Sequence, residues 1–98
     1  MASVYILFSD KHNKFYTGSC LDLEARLIDH KNKTFRNSYT ANADDWELYF
    51  SINDLDYSVA RKIETHIKSM KSKKYIENLK QYPEMIEMLI IKFSNTSN

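Results

Sequence analysis

Five side chains in this 98-residue chain carry chemistry that packing alone does not need in one place: the phenols of Tyr5 and Tyr16, the Arg26 guanidinium, the His30 imidazole and the Glu64 carboxylate. An arginine offers a planar fork of donors matched to phosphate oxygens. A tyrosine, with a reference pKa of about 10, takes or relays a water proton only with a cation close by. One carboxylate with several waters can hold Mg²⁺. Such groups together cover what phosphodiester hydrolysis requires: an activated water, stabilisation of the non-bridging oxygens and help for the departing oxygen. Taken singly, each has a blander reading, since strand tyrosines usually pack and a histidine near a helix end usually sits on the surface.

The elements that must position these groups follow from the hydrophobic period. "VYILF" (4–8) and "KFYTGS" (14–19) are β-branched and aromatic runs separated by a polar turn, which predicts an antiparallel hairpin carrying Tyr5 and Tyr16 on its two strands. Asp22 is an N-cap for a helix to Lys31 with Leu23, Leu27 and Ile28 at helical spacing, and Arg26 and His30 share one face of it at i, i+4. A polar, loop-like stretch covers 32–44. "WELYFSI" (46–52) predicts a third strand with Trp46, Leu48, Phe50 and Ile52 on one side. Ser58 is then expected to cap a helix with the apolar stripe Val59, Ile63, Ile67 and Met70, leaving Glu64 half-buried at its edge. "KKYIENL" (73–79) is a further helical piece, and Pro83 opens a last helix with Met85, Ile86, Leu89 and Ile90 inward, ending in a frayed tail (94–98). The order ββαβααα predicts an α+β fold, a three-stranded antiparallel sheet flanked by helices, in one domain over 1–98 with a core at about 3–79 and a C-terminal helix at about 83–93.

Composition bounds the setting. A lone cysteine, Cys20, permits no internal disulfide and points to a reducing compartment; with no targeting segment and no run long enough to span a bilayer, a cytoplasmic protein without membrane contact is expected. The net charge is only +1, but it is segregated: 44–56 carry five acids and no base, while 61–80 carry seven Lys/Arg against two Glu. That basic segment, with Lys71, Lys73 and Lys74, is either a solvated helix face or a surface for phosphates. The single glycine, Gly18, closes an aromatic strand, where it serves a positive φ or a close approach of backbone to another group.

"SVY" (3–5), ten residues, "YTG" (16–18), Arg26 eight positions later in "LEARLIDH", and a helical glutamate after a strand resemble the GIY-YIG nuclease superfamily. The likeness covers about residues 3–79 and is closest to small single-domain members, through Asp22–His30, Tyr39-Thr40, Trp46–Tyr49 and Ala60–Lys68. Ser3 stands for the first signature's glycine and Thr17 for the second's isoleucine; the family's asparagine about twelve residues after the glutamate falls on Ile76, with Asn78 two residues later.

The resemblance implies a DNA endonuclease acting on double-stranded or branched DNA with one Mg²⁺ (or Mn²⁺) held by Glu64. Tyr5, Tyr16, Arg26 and His30 would be catalytic, and Gly18, Tyr39, Lys71, Lys73, Lys74 and Asn78 would form the substrate surface. Tyr5, nearer the sheet centre, is the expected proton handler. Tyr5, Tyr16, Arg26 and Glu64 are expected to line one concave surface beside the hairpin, with His30 at its rim. A binding or interaction module that keeps the fold without turnover is the alternative reading; oligomeric state and the choice among repair, mobile-element and defence roles stay open.

Overall fold

The computed structural model describes residues 1–31 and 45–94. Three strands, β1 (Ala2–Ser9), β2 (Lys14–Cys20) and β3 (Glu47–Leu55), form an antiparallel sheet in the order β2-β1-β3, and the helices are α1 (Leu23–Lys31), α2 (Tyr57–Met70), α3 (Lys73–Gln81) and α4 (Pro83–Ser94). This is the α+β fold, ββαβααα, that the sequence predicts. β1 is central and buried on both faces from Ala2 to Leu7, because helices cover both sides of the sheet. Its even-numbered residues Ala2, Val4 and Ile6 pack with Ile52, Val59, Ala60, Ile63, Ile67 and Leu79 on the α2 side. Its odd-numbered Tyr5 and Leu7 pack with Cys20, Tyr16, Leu23, Leu27 and Trp46 on the α1 side.

The hairpin turn closes through Asn13 at φ 51°, a left-handed conformation that Asn tolerates. Asp45 staples it, accepting from the Ser9 hydroxyl at 2.6 Å and from the Lys11 amide at 2.8 Å. Asp22 does cap α1, taking the Ala25 amide at 3.1 Å. α2 begins two residues earlier than expected: Asp56 is its N-cap, without a side-chain hydrogen bond, and Ser58 lies inside the first turn. Met70, expected in the apolar stripe, is exposed at the helix end, where the chain leaves through Lys71 at φ 50°. Ile28 is 58% exposed, because α1 turns only the side bearing Leu23, Leu27 and His30 to the sheet.

β3 departs from simple alternation. Its register against β1 slips between Ile6↔Phe50 and Leu7↔Leu48, so Tyr49 is the extra residue of a bulge. Phe50 and Ile52 therefore join the α2-side core, Trp46 packs with Tyr5 and Leu7 on the opposite face, and Leu48 is exposed. A second slip next to Ala2 coincides with Asp54 at φ 61°.

Gly18 has no positive φ; close approach is the reason for it. It pairs with Tyr5 across the β1–β2 ladder, and a Cβ built there would lie 2.5 Å from the Tyr5 hydroxyl oxygen and 2.6 Å from Cζ. The phenol occupies the space a side chain would need. Gly18→Ala must push that ring off its seat, at a cost of about 1–3 kcal/mol as for other overpacked sites. A urea melt of the variant should show the loss; unchanged stability would mean that the ring does not rest on Gly18.

Candidate active site

The Tyr5 phenol lies at the centre of a buried polar chain. It is 1% exposed and shares a 2.9 Å hydrogen bond with His30 Nε2, and His30 is itself only 6% exposed. The Arg26 side chain also donates a hydrogen bond to the Tyr5 oxygen, which leaves the phenol's own proton for Nε2. Burial, first, and then the neighbouring Tyr16 push the Tyr5 pKa up, and the Arg26 guanidinium only partly opposes them. Burial and then Arg26 push the His30 pKa down, with Asp29 opposing. Both partners are thus held neutral. One expectation is corrected: His30 is buried against Tyr5 and is not at the rim of the site. The upward shift of Tyr5 favours its neutral form, which weighs against the proton-handling part expected for it.

Tyr16 stands at the mouth of this cluster. It is half-buried, its ring centroid is 5.3 Å from His30 in an edge-on arrangement and 6.3 Å from Tyr5, and the Lys68 Nζ sits 5.8 Å from its ring centroid. Lys68 comes from α2, across the outer edge of β2. At 2.7 Å its Nζ donates to Glu64 Oε2, and the Ser19 hydroxyl donates to Glu64 Oε1. Alternation along β2 puts Gly18 and Cys20 on the α1 face and Ser19 on the α2 face, so Glu64 and Arg26 approach the strand from opposite sides. The expected single concave surface is therefore replaced by a site wrapped around a sheet edge. A cavity of about 280 Å³ at the end of β2 makes the connection: Ser19, Arg26, Asp29 and, from the start of α2, Tyr57 all line it. Tyr57 accepts from Arg61 at 3.1 Å and Arg61 lies 3.9 Å from Glu64, so a polar ladder runs from Tyr57 through Arg61 and Glu64 to Lys68.

Beyond Tyr16, a groove of about 580 Å³ follows the β2 edge toward the hairpin turn, with Phe15 and Ile76 on its floor and Lys14, Lys68, Lys71 and Lys73 along its walls. Lys73 reaches across to the Asn13 carbonyl at 2.5 Å. Lys74 is exposed on α3 and does not line the groove; Asn78, half-buried in the last turn of α3, lines neither cavity. Gly18 is buried beneath Tyr5, so its part is to seat the ring. Tyr39 lies outside the described residues. His12 is exposed in the turn as expected, whereas His66, expected in solvent, is half-buried and hydrogen-bonded to the Tyr75 hydroxyl at 3.0 Å.

Sequence reasoning missed Ser19, Arg61 and Lys68. The Glu64–Lys68 pair was readable as i, i+4 on α2. Ser19 needed the knowledge that α2 crosses β2.

His30 sets a pH dependence. Its folded pKa lies below the ordinary value, so the unfolded chain takes a proton first; stability is full above about pH 6.5 and is lost as pH falls through the folded pKa. His66, also shifted down by burial and by Lys92, acts in the same direction. The melting temperature should fall between pH 7.5 and 5.5, above the carboxylate range, and fall less steeply in His30→Gln. A melting temperature that rises on acidification would contradict the buried neutral imidazole.

The GIY-YIG catalytic domain family model matches residues 1–78, which include Tyr5, Tyr16, Arg26, His30 and Glu64. No match was found among curated proteins or among solved structures. With four-fifths of its length matched, and with the signature tyrosines beside one another and Arg26 acting on Tyr5, the chain belongs to the GIY-YIG nuclease superfamily.

Proposed function

We propose that the protein is a DNA endonuclease that hydrolyses phosphodiester bonds with one divalent ion. The observation that carries the reading is the meeting of two half-sites at the β2 edge, Arg26–Tyr5–His30 on one side and Ser19–Glu64–Lys68 on the other, with Tyr16 between them and a basic groove leading away. A structural module has no need of a half-buried arginine on a buried phenol–imidazole pair beside a carboxylate and a lysine-lined track.

The donor set suits Mg²⁺ or Mn²⁺ held weakly. Among the described residues no three His, Cys, Asp or Glu side chains gather around a point. Glu64 offers hard oxygens, its side chain 16% exposed at the rim, and a small octahedral ion keeps its waters and takes phosphate oxygens for the rest. The ion, when bound, polarises the phosphate and supports the departing oxygen. The chain's own residues do the remainder. Ser19 fixes the rotamer of Glu64 through Oε1, and Lys68 neutralises Oε2 in the free protein; with an ion held by Glu64, the Lys68 ammonium would be available to phosphate. Arg26 presents its fork to the non-bridging oxygens. Tyr16 is half-buried at the mouth of the site with the Lys68 ammonium 5.8 Å from its ring centroid, so its hydroxyl would relay the attacking water's proton, accepting it while passing its own to solvent, and Tyr5 and His30 hold Arg26 and the Tyr16 ring in place. The lysines of the groove contact the backbone of double-stranded or branched DNA. Cys20, buried and unpaired, suits a reducing, cytoplasmic setting. No helix among the described residues is long and apolar enough to cross a membrane.

A plasmid-nicking assay with Mg²⁺, with and without excess chelator, tests this. Tyr16→Phe should lower the single-turnover rate by about 100-fold or more, about 3 kcal/mol of barrier, without changing the melting temperature. Tyr5→Phe should cost less in rate but about 1–3 kcal/mol in stability, because it strands His30 Nε2 and removes the acceptor for Arg26. Glu64→Gln should abolish the response to Mg²⁺. Cleavage undiminished by chelator, or all three variants cutting like the wild type, would leave a binding module as the better reading.

A further inference from the structure

α4 lies beyond the residues that match the family, and with α2 it walls a further cavity, of about 520 Å³. Arg61, Lys62 and His66 of α2 face Lys92 and Phe93 of α4 across it. Thr65 and Ser69 form the low part of the wall, each hydroxyl donating to a carbonyl of its own helix, Arg61 and His66. Among the described residues no carboxylate lines the cleft, and Lys92 has methionine and leucine rather than an acid one turn before it. The Lys92 ammonium lies 5.4 Å from the Phe93 ring centroid, and that ring is 5.6 Å from His66. The positive field is strong enough that Lys92, after burial, disfavours the His66 imidazolium.

Arg61 links the cleft to the candidate active site. Arg61, at its near end, lies 3.9 Å from Glu64 and bonds to Tyr57, which lines the cavity that holds Arg26. From Arg61 to Ser69 is eight helical rises, about 12 Å. That is too long for one small anion, and on a strand with one phosphate per about 3.4 Å of axis it covers about three to four phosphates.

We propose that the α2–α4 cleft is a second backbone site for the DNA being cut, gripping phosphates on the far side of α2 from the groove along β2. The proposal rests on the nuclease reading above and adds to it what α4 is for: the extra helix supplies Lys92 and Phe93, so the small domain holds its substrate from both sides of the helix that carries Glu64. Arg61 links the two grips, since it faces the cleft and the carboxylate together. Lys62 and Lys92 make phosphate contacts, and the Phe93 ring supports the Lys92 stem.

The test is fluorescence-anisotropy titration of a labelled duplex of about 20 base pairs, without divalent ion, from 50 to 200 mM salt. Five proteins are compared, with folding checked by thermal melts: wild type, Lys62→Ala/Lys92→Ala, Lys62→Arg/Lys92→Arg, Lys92→Gln and the groove variant Lys71→Ala/Lys73→Ala. The cleft variant should bind more weakly, and its plot of log affinity against log salt should be shallower by about one unit for each lysine removed. Lys62→Arg/Lys92→Arg should restore both. If the cleft variant keeps the wild-type affinity and slope while the groove variant loses them, the cleft is not a backbone site and the nuclease reading stands without it. A wild type that binds no duplex removes both readings together. Lys92→Gln alone, which leaves α2 untouched, should lower the slope by about one unit; no change there overturns the part assigned to α4.

Discussion

The Tyr5 phenol rests on the bare backbone of Gly18, and the geometry of the α1 side of the site depends on that contact. Without a Cβ at position 18 the ring can lie against β2 with its hydroxyl between Arg26 and His30. Those two residues are one turn apart on α1, so a single buried oxygen fixes both the height and the rotation of a nine-residue helix that packs only lightly on the sheet. Removing water from the hydroxyl strengthens its hydrogen bonds and raises the cost of breaking them. The same desolvation that makes Tyr5 a poor proton acceptor makes it a good fastener.

β2 contributes a second constraint, because it is an outer strand. Side chains alternate across a strand, so a central strand would keep the Arg26 and Glu64 sides apart by a layer of backbone and neighbours. At an edge the two faces meet solvent together. Ser19 turns toward α2 while its neighbours Gly18 and Cys20 turn toward α1, and one strand thereby orients both halves of the site. The charges are balanced in the free protein: Glu64 is held by Lys68 and approached by Arg61. Glu64 is thereby already aimed at the β2 edge, held between the Ser19 hydroxyl and the Lys68 ammonium.

The fold was legible in the sequence because its elements are strongly periodic: "VYILF" and "KFYTGS" as strands, the Val59–Ile67 stripe as a helix, Pro83 as a helix start. The bulge at Tyr49 was not, since an extra residue in β3 depends on where β1 needs its side chains. Trp46 consequently went to the wrong face. At the site, Tyr5, Tyr16, Arg26, His30 and Glu64 could be named from type and spacing. Glu64 was also expected half-buried, as it is, but the burial of Tyr5 and His30 could not be read, because it depends on how deeply α1 settles on the sheet. Ser19 was invisible for a related reason: it matters only through Glu64, which approaches β2 from another element.

The central claim is that one phosphate is held around the edge of β2 from both faces of the sheet. A crystal structure of the Tyr16→Phe variant with a DNA duplex and Mn²⁺, read by anomalous scattering, measures this directly. The account predicts one anomalous peak between Glu64 and a phosphate whose other oxygens meet Arg26, with Lys68 moved off the carboxylate. A peak away from Glu64, or a phosphate touched by Arg26 and Glu64 only one at a time, would contradict it.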